Sequence, residues 1–343
     1  MADRKVRFAA IGFNHGHIYG QIALLLRSGA ELVSCYAPEP ELVAEFHKQY
    51  PQVPLARSIS EILDDPSIDL VTSAGIPCER APLGLDVMRH GKDFFVDKPG
   101  FTTLEQLERV RCVQAEQKRI YSVFYGERLE NPSSVKAAEL VNSGAIGDVV
   151  QTIGLGPHRA APSSRPPWFF KRQQYGGILC DIGSHQFDQF LFYLGCEGAQ
   201  VISAQVANYR YPQHPELEDF GDVVLRSNRG CGYLRVDWYS PDGLNTWGDG
   251  RLTILGTEGY IEIRKNCDLA GRSGGHHLFL INQKGTHYFD CQHVDLPFGP
   301  ALLRDVVNRT EAAMPQAHCF LASELALRAQ ASAVRLGNLK QMF

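Results

Sequence analysis

The sequence predicts an α/β chain in two parts. A doubly wound parallel sheet comes first, and an α+β domain with an open, mostly antiparallel sheet follows. Three observations carry this. Strand-like and helix-like stretches alternate in units of about 25–30 residues up to residue 125, as a parallel sheet covered on both faces requires. Short strands separated by glycine turns then succeed one another between residues 200 and 290, which reads as antiparallel. The change of rhythm falls near Tyr125. The expected domains are therefore residues 1–125 and 126–343, with the last helices able to pack back on the first domain.

Residues 6–11 are an apolar run that reads as a buried strand. Gly12 to Gly16 form a turn, and residues 17–28 a helix stopped by Gly29. A second strand at 31–36, a helix at 40–50, a helical turn at 60–63 and a third strand at 69–73 follow. A helix over 79–90 stops at Gly91, and a strand at 94–96, a helix at 103–117 and a strand at 120–124 complete the alternation. Beyond it, helices are expected at 135–143 and 177–194. Strands are expected at 201–208, 221–226, 232–239, 251–255, 260–264, 278–282 and 287–290, and closing helices at 300–313 and 320–336. Residues 160–167, rich in Pro and Ser, form a loop suited to covering or lining a site.

Composition narrows the function. The chain has 343 residues, 44% of them hydrophobic, which supports a full core. The net charge is −4 and no basic stripe is present, which argues against nucleic acid as a partner. No apolar run approaches the ~18–20 residues of a membrane span, and the N-terminus has no signal-like segment. The nine cysteines are scattered without a C-x-x-C pair, as expected of reduced thiols in a cytoplasm.

Two regions carry chemistry. The first strand runs into Gly12-Phe13-Asn14-His15-Gly16-His17, where a strand turns sharply into a helix. Amides at such a helix start face a pyrophosphate. The fingerprint G-x-G-x-x-G/A keeps only its first glycine here, with Asn14 and His17 at the second and third positions. The second strand should end in an acid for the adenosine ribose; that position is Ala37, and Glu39 stands two residues late with no arginine beside it. The residues therefore do not choose between NAD and NADP. His15 and His17 are two apart and would not share a helical face, so no metal is assigned.

The second region is a proton-transfer set. Lys98 follows the apolar strand Phe94-Phe95-Val96 and Asp97 and precedes Pro99, which biases it to an extended backbone. Ligands in parallel sheets bind at the carboxyl ends of strands, so Lys98 belongs at the rim of a site. Desolvation beside a cationic nicotinamide would lower a lysine from ~10.4 toward ~7–8, useful for accepting an alcohol proton. Asp181, His185 and Asp188 are spaced i, i+4, i+7 and share a helical face behind Gly176-Gly177. His185 suits exchange of a proton with a hydroxyl, and Asp181 suits its orientation. His158, Arg159 and Trp168 flank the Pro-rich loop as a polar and aromatic surface for a sugar or cyclitol.

These pieces, in this order, resemble the Gfo/Idh/MocA oxidoreductases (glucose–fructose oxidoreductase, inositol dehydrogenase and rhizopine catabolism). Asp97-Lys98-Pro99 is similar to that family's E-K-P motif with Asp for Glu, and Gly177 through Asp188 to its G-G-x-x-x-D-x-G-x-H-x-x-D stretch. Tyr125 through Pro132, with Arg128, and Asn142 through Gly147 match further landmarks. Ala74-Gly75-Ile76-Pro77-Cys78-Glu79-Arg80 departs from its A-T-P-P-x-x-H, with Arg80 at the histidine position. The resemblance implies an N-terminal Rossmann domain and NAD(P)-dependent oxidation or reduction of a sugar, amino-sugar or cyclitol. It implies Lys98, Asp181 and His185 as the catalytic set, and Gly12 through His17, Ala37, Ala74, Gly75, Pro77 and Lys98 at the cofactor. It places Arg128 with His158, Arg159 and Trp168 at the substrate, and implies a homo-dimer or tetramer through the open sheet. A redox-neutral enzyme that oxidises a sugar carbon transiently, for elimination or epimerisation, and a non-catalytic nucleotide or sugar sensor are the alternative readings.

Overall fold

The computed structural model describes residues 4–337 and divides into two compact units. The first contains the chain through Phe124 together with Pro297–Phe320; the second contains Tyr125–Leu296 and the chain from Leu321.

In the first unit, β1 (Arg7–Ile11), α1 (His17–Arg27), β2 (Glu31–Tyr36), α2 (Pro40–Gln49), α3 (Ile59–Leu63), β3 (Leu70–Ser73), α4 (Pro77–Arg89), β4 (Asp93–Asp97), α5 (Leu104–Gln117) and β5 (Tyr121–Phe124) alternate as expected. The five strands are parallel in the order β2-β1-β3-β4-β5. All four residues of β3 and all five of β4 are buried, as strands covered on both faces must be. The strand order reverses at β1 and β3, the point where such sheets bind ligands.

Helix α4 begins two residues before the expected start because Pro77 occupies its first turn, where a missing N–H costs nothing. It also lies very close to the sheet. A Cβ on Gly84 would stand 2.4 Å from the Tyr121 ring and 2.8 Å from that of Phe94.

The second unit holds α6 (Gly126–Leu129), α7 (Pro132–Asn142), β6 (Val149–Pro157), α8 (Arg172–Tyr175), α9 (Ile178–Asp181), α10 (Gly183–Leu194), β7 (Gln200–Ala207), β8 (Phe220–Arg226), β9 (Cys231–Asp237), β10 (Arg251–Gly256), β11 (Gly259–Arg264), β12 (His277–Asn282) and β13 (Gly285–Asp290). Helices α11 (Phe298–Asn308) and α12 (Gln316–Ser332) and the short β14 (Val334–Arg335) close the chain. Nine strands form one sheet in the order β13-β12-β11-β10-β6-β9-β8-β7-β14, antiparallel except at β6–β9 and β7–β14.

Three differences from the sequence reading have physical causes. The strand β6 went unread because glycines sit at its inward positions. They are there because α10 packs on it: a Cβ on Gly154 would meet the Gln186 side chain at 2.7 Å, and one on Gly156 would meet it at 2.9 Å. The helix expected over 177–194 is divided at Ile182, although Ile182 keeps helical angles. The helix expected to reach residue 336 stops at Ser332, and Val334–Arg335 pair with β7 instead.

Helix α7 packs on β11 and β12, and Ile254, Ile261, Ile263, Leu278 and Leu280 fill the layer beneath it with Ala137 and Tyr193. The opposite face of this sheet shows Val224, Leu255, Tyr260 and Tyr288 to solvent, which fits the alternation of buried and open residues along β8 and β10. No helix among the described residues is long and apolar enough to cross a membrane.

The tight seat of α4 generates a prediction. Gly84→Ala should lower stability by about 1–3 kcal/mol through overpacking against Tyr121 and Phe94, read from urea denaturation. An unchanged midpoint would show that α4 can move away from the sheet at no cost.

Candidate functional site

The turns after β1 and β3 are laced together. The Gly12 amide donates to the Tyr36 carbonyl (2.9 Å), that of Ala74 to Gly12 (3.2 Å), and that of His15 to Ala74 (2.9 Å). Gly12 has φ +77°, and a Cβ there would lie 3.0 Å from the Cα of Gly75, so this position needs glycine. Gly16 caps α1 without a side-chain acceptor, and the space beside it is open. Phe13 is buried and stacks on Phe46 at 4.4 Å.

Ala37 is buried and offers no ribose acceptor. Glu39 takes another course. It is the N-cap of α2, yet its carboxylate does not cap its own helix. Asn14 Nδ2 donates to Glu39 Oε1 at 2.8 Å, and Glu39 Oε2 is buried without a hydrogen-bond partner. A carboxylate oxygen in that state calls for a hydroxyl donor. A phosphate-facing helix start, close backbone approach at two glycines and an acceptor after β2 together fit a nicotinamide dinucleotide.

Asp97, at the end of β4, is fully buried and collects three cations or potential cations. Arg80 NH2 donates to Oδ2 at 3.1 Å, His15 Nδ1 lies 3.3 Å from Oδ2, and His17 Nδ1 lies 2.9 Å from Oδ1. Arg80 is itself 1% exposed. Its Nε donates to Gly75 O (2.8 Å), and NH1 reaches the carbonyls of Asp97 (3.1 Å), Lys98 (2.6 Å) and Pro99 (3.1 Å). The guanidinium thus clamps the main chain on both sides of Lys98, which is 4% exposed. The Lys98–Pro99 peptide is cis.

Electrostatics follow from this crowding. Burial, then the neighbouring His17, lowers His15 from 6.5 to about 4, against the pull of Asp97. Burial would raise the Asp97 carboxyl, but the charges of His17 and Arg80 and the hydrogen bonds of both histidines outweigh it and hold Asp97 well below the usual carboxylate range. The expectation that His15 and His17 stay apart is corrected. His15 belongs to the turn and His17 opens α1, so helical spacing does not apply, and their ring centroids meet edge-on at 4.1 Å.

In the second unit, His185 is buried on α10, with a polar network close by. Lys265 Nζ donates to Glu127 Oε2 (2.6 Å) and to Gln189 Oε1 (2.8 Å). Gln186 Nε2 also donates to Glu127 Oε2 (3.0 Å), and Gln189 Nε2 to the His185 carbonyl (2.8 Å). Burial would raise Glu127, but the ammonium of Lys265 and the charges of His185 and His158 hold it well below its ordinary value. Glu127 and Lys265 carried no sequence signal: they are 138 positions apart, and only the tertiary fold brings α6 to the end of β11.

Asp181 lies in the electrostatic reach of Arg165, which packs over the rings of Phe169 (4.6 Å) and Trp238 (5.1 Å) and donates to the carbonyls of Ala160 and Arg159. These contacts pin the Pro-rich loop. His158 meets Trp247 at 4.5 Å and Trp238 at 5.6 Å, and Trp168 is buried beside Phe169.

Two residues expected at substrate have other engagements. Arg128 forms a two-pronged pair with Asp188 (2.6 and 2.7 Å) and lies over the Phe192 ring. This also takes Asp188 out of the proton-transfer face. Arg159 donates to the carbonyls of Pro241, Leu244 and Thr246 and so ties that loop to β6.

The buried pair at β4 generates a prediction. Arg80→Met leaves Asp97 without its guanidinium and strands the Gly75, Lys98 and Pro99 carbonyls. It should cost about 3–5 kcal/mol by chemical denaturation. A loss below 1 kcal/mol, the range of an exposed pair, would mean the clamp is dispensable.

Known proteins give this geometry a context. Residues 6–125 match the model of the oxidoreductase family with NAD-binding Rossmann fold, and residues 134–262 match the GFO/IDH/MocA C-terminal domain. A solved structure from Erwinia carotovora atroseptica SCRI1043, described in general terms as an oxidoreductase, is 49% identical, with 97% of this chain and 100% of that one covered and a TM-score of 0.95. The scyllo-inositol 2-dehydrogenase (NAD(+)) of Bacillus subtilis (strain 168) is 25% identical over 83% of this chain and 80% of its own. Levoglucosan dehydrogenase in complex with NADH shares the fold at 18% identity, with 96% of each chain covered and a TM-score of 0.76. The chain belongs to the Gfo/Idh/MocA oxidoreductases, and its residues 6–125 are their NAD-binding Rossmann domain.

Proposed function

We propose that the protein transfers hydride between a nicotinamide dinucleotide and a secondary alcohol of a sugar, amino-sugar or cyclitol, with Lys98, His185 and Asp181 handling the proton. The observation that carries this reading is Lys98 itself. It sits at the carboxyl end of β4, with its own carbonyl and those on either side clamped by Arg80, and that same arginine holds the Gly75 turn beside the β1 turn. A lysine whose backbone is fixed this firmly is positioned rather than solvated. The inositol dehydrogenase relative and the levoglucosan dehydrogenase fold support the substrate class.

A bound nicotinamide supplies the hydride acceptor. The chain's own residues do the rest. The Gly12–His17 turn and the start of α1 would hold the pyrophosphate, and Glu39 Oε2 would accept from the adenosine ribose. Lys98 polarises the alcohol oxygen and accepts its proton, His185 shares that duty, and Asp181 orients the substrate or the imidazole. The network of Glu127, Lys265 and Gln189 keeps the backbone at His185 in place.

The Glu39 carboxylate would repel a 2′-phosphate, and Glu79 adds to the negative charge there, its own carboxyl being raised by burial and by Glu39. NAD+ should therefore bind at least about tenfold more tightly than NADP+ in a fluorescence titration, and Glu39→Ser should narrow that gap. Equal affinities in the unaltered protein would remove the role given to Glu39.

With a polyol and sugar panel read by nicotinamide absorbance, Lys98→Met and His185→Ala should each cut kcat by about 10²–10⁴-fold while the melting transition persists. Unchanged turnover in both variants would end the catalytic assignment.

A further inference from the structure

Three positions at which this chain differs from the motifs of its family meet around one carboxylate: His17 in the glycine fingerprint, Asp97 where the resemblance has Glu, and Arg80 where it has His. With His15 they form a cluster that the proton-transfer chemistry leaves unused. The ligand-capable atoms of His15, His17 and Asp97 all lie within 4.8 Å of one another. We infer that His15 Nδ1, His17 Nδ1 and a carboxylate oxygen of Asp97 bind a divalent transition-metal ion, of the Zn2+ or Co2+ class.

The distances are those of a nearly assembled site. In a tetrahedral zinc site with bonds of about 2.0–2.1 Å, adjacent ligand atoms stand about 3.4 Å apart. His15 Nδ1 is 3.3 Å from Asp97 Oδ2 and His17 Nδ1 is 2.9 Å from Oδ1, so each imidazole faces a different oxygen of the carboxylate, and one ligand atom from each residue lies within 4.8 Å of the others. An ion enters with small side-chain shifts, each imidazole carrying its proton on Nε2 so that Nδ1 presents its lone pair.

The surroundings suit this role. Arg80 NH2 donates to Oδ2 and fixes the carboxylate plane, as carboxylates that ligate metals are held by hydrogen bonds from behind. The His17 side chain is 45% exposed, which gives the ion a route from solvent. Two imidazoles and one carboxylate select zinc-like ions over Mg2+ or Ca2+ and leave coordination positions open for water or an oxygen ligand.

The inference goes beyond the dehydrogenase reading, and its test uses no nucleotide, so the two fail separately. Tag-free protein treated with chelator is titrated with Co2+, and the visible d–d absorption and the heat of binding are followed. One equivalent should bind with a tetrahedral-type band that Zn2+ abolishes. His15→Gln and His17→Gln should each weaken binding at least about tenfold, with the melting temperature of the metal-free protein retained. His17 lies at the surface, so its variant keeps the test decisive if His15→Gln folds poorly. Absence of a band and of binding heat, or an unchanged Co2+ affinity in His17→Gln, would overturn the inference.

Discussion

The buried pair of Arg80 and Asp97 is the interaction on which the first unit's site depends. Taking a guanidinium and a carboxylate out of water is expensive, and the attraction between them alone does not offset it. Here every direction of the guanidinium is used. Arg80 donates to four main-chain carbonyls and to Asp97, so it stitches the end of β4 to the end of β3, the strand that flanks the reversal of strand order. Asp97 in turn draws in two histidines from the β1 turn and the start of α1. One ion pair therefore sets the geometry of the glycine turn, of Lys98 and of both imidazoles.

The second unit solves a similar problem with a different set of groups. Glu127 and Lys265 are buried together; the Gln186 amide donates to Glu127 Oε2 and the Gln189 amide oxygen accepts from Lys265, while Glu127 Oε1 is buried without a hydrogen-bond partner. Space for Gln186 comes from Gly154 and Gly156 on β6. The stretch assigned no element from the sequence is thus the central strand, and its glycines are the cost of bringing a polar helix face against a sheet. His185 is held through its carbonyl by Gln189, and its imidazole adds to the field that keeps Glu127 ionised.

Charged residues near a site are easily assigned to substrate when only their positions in the chain are known. Arg128 and Arg159 show what such an assignment leaves out. Both have planar, multi-donor heads, and the fold engages those heads internally, one with Asp188 and Phe192, the other with three carbonyls of one loop. Arg165, which drew no attention in the sequence, pins the Pro-rich loop by lying over Phe169 and Trp238.

The sequence by itself determined the alternating first unit, the glycine turn at Gly12, the position of Lys98 at the end of a buried strand, and the antiparallel run that follows. These are local properties: hydrophobic periodicity, turn chemistry and short motifs act over a few residues. The tertiary structure alone decided that Glu39 turns back to Asn14, that Arg80 clamps a segment 17 to 19 positions away, and that Asp97 meets His17 across 80 positions. Such contacts arise when parallel strands bring separate loops to one edge of a sheet, and no spacing along the chain encodes which side chains will then face each other.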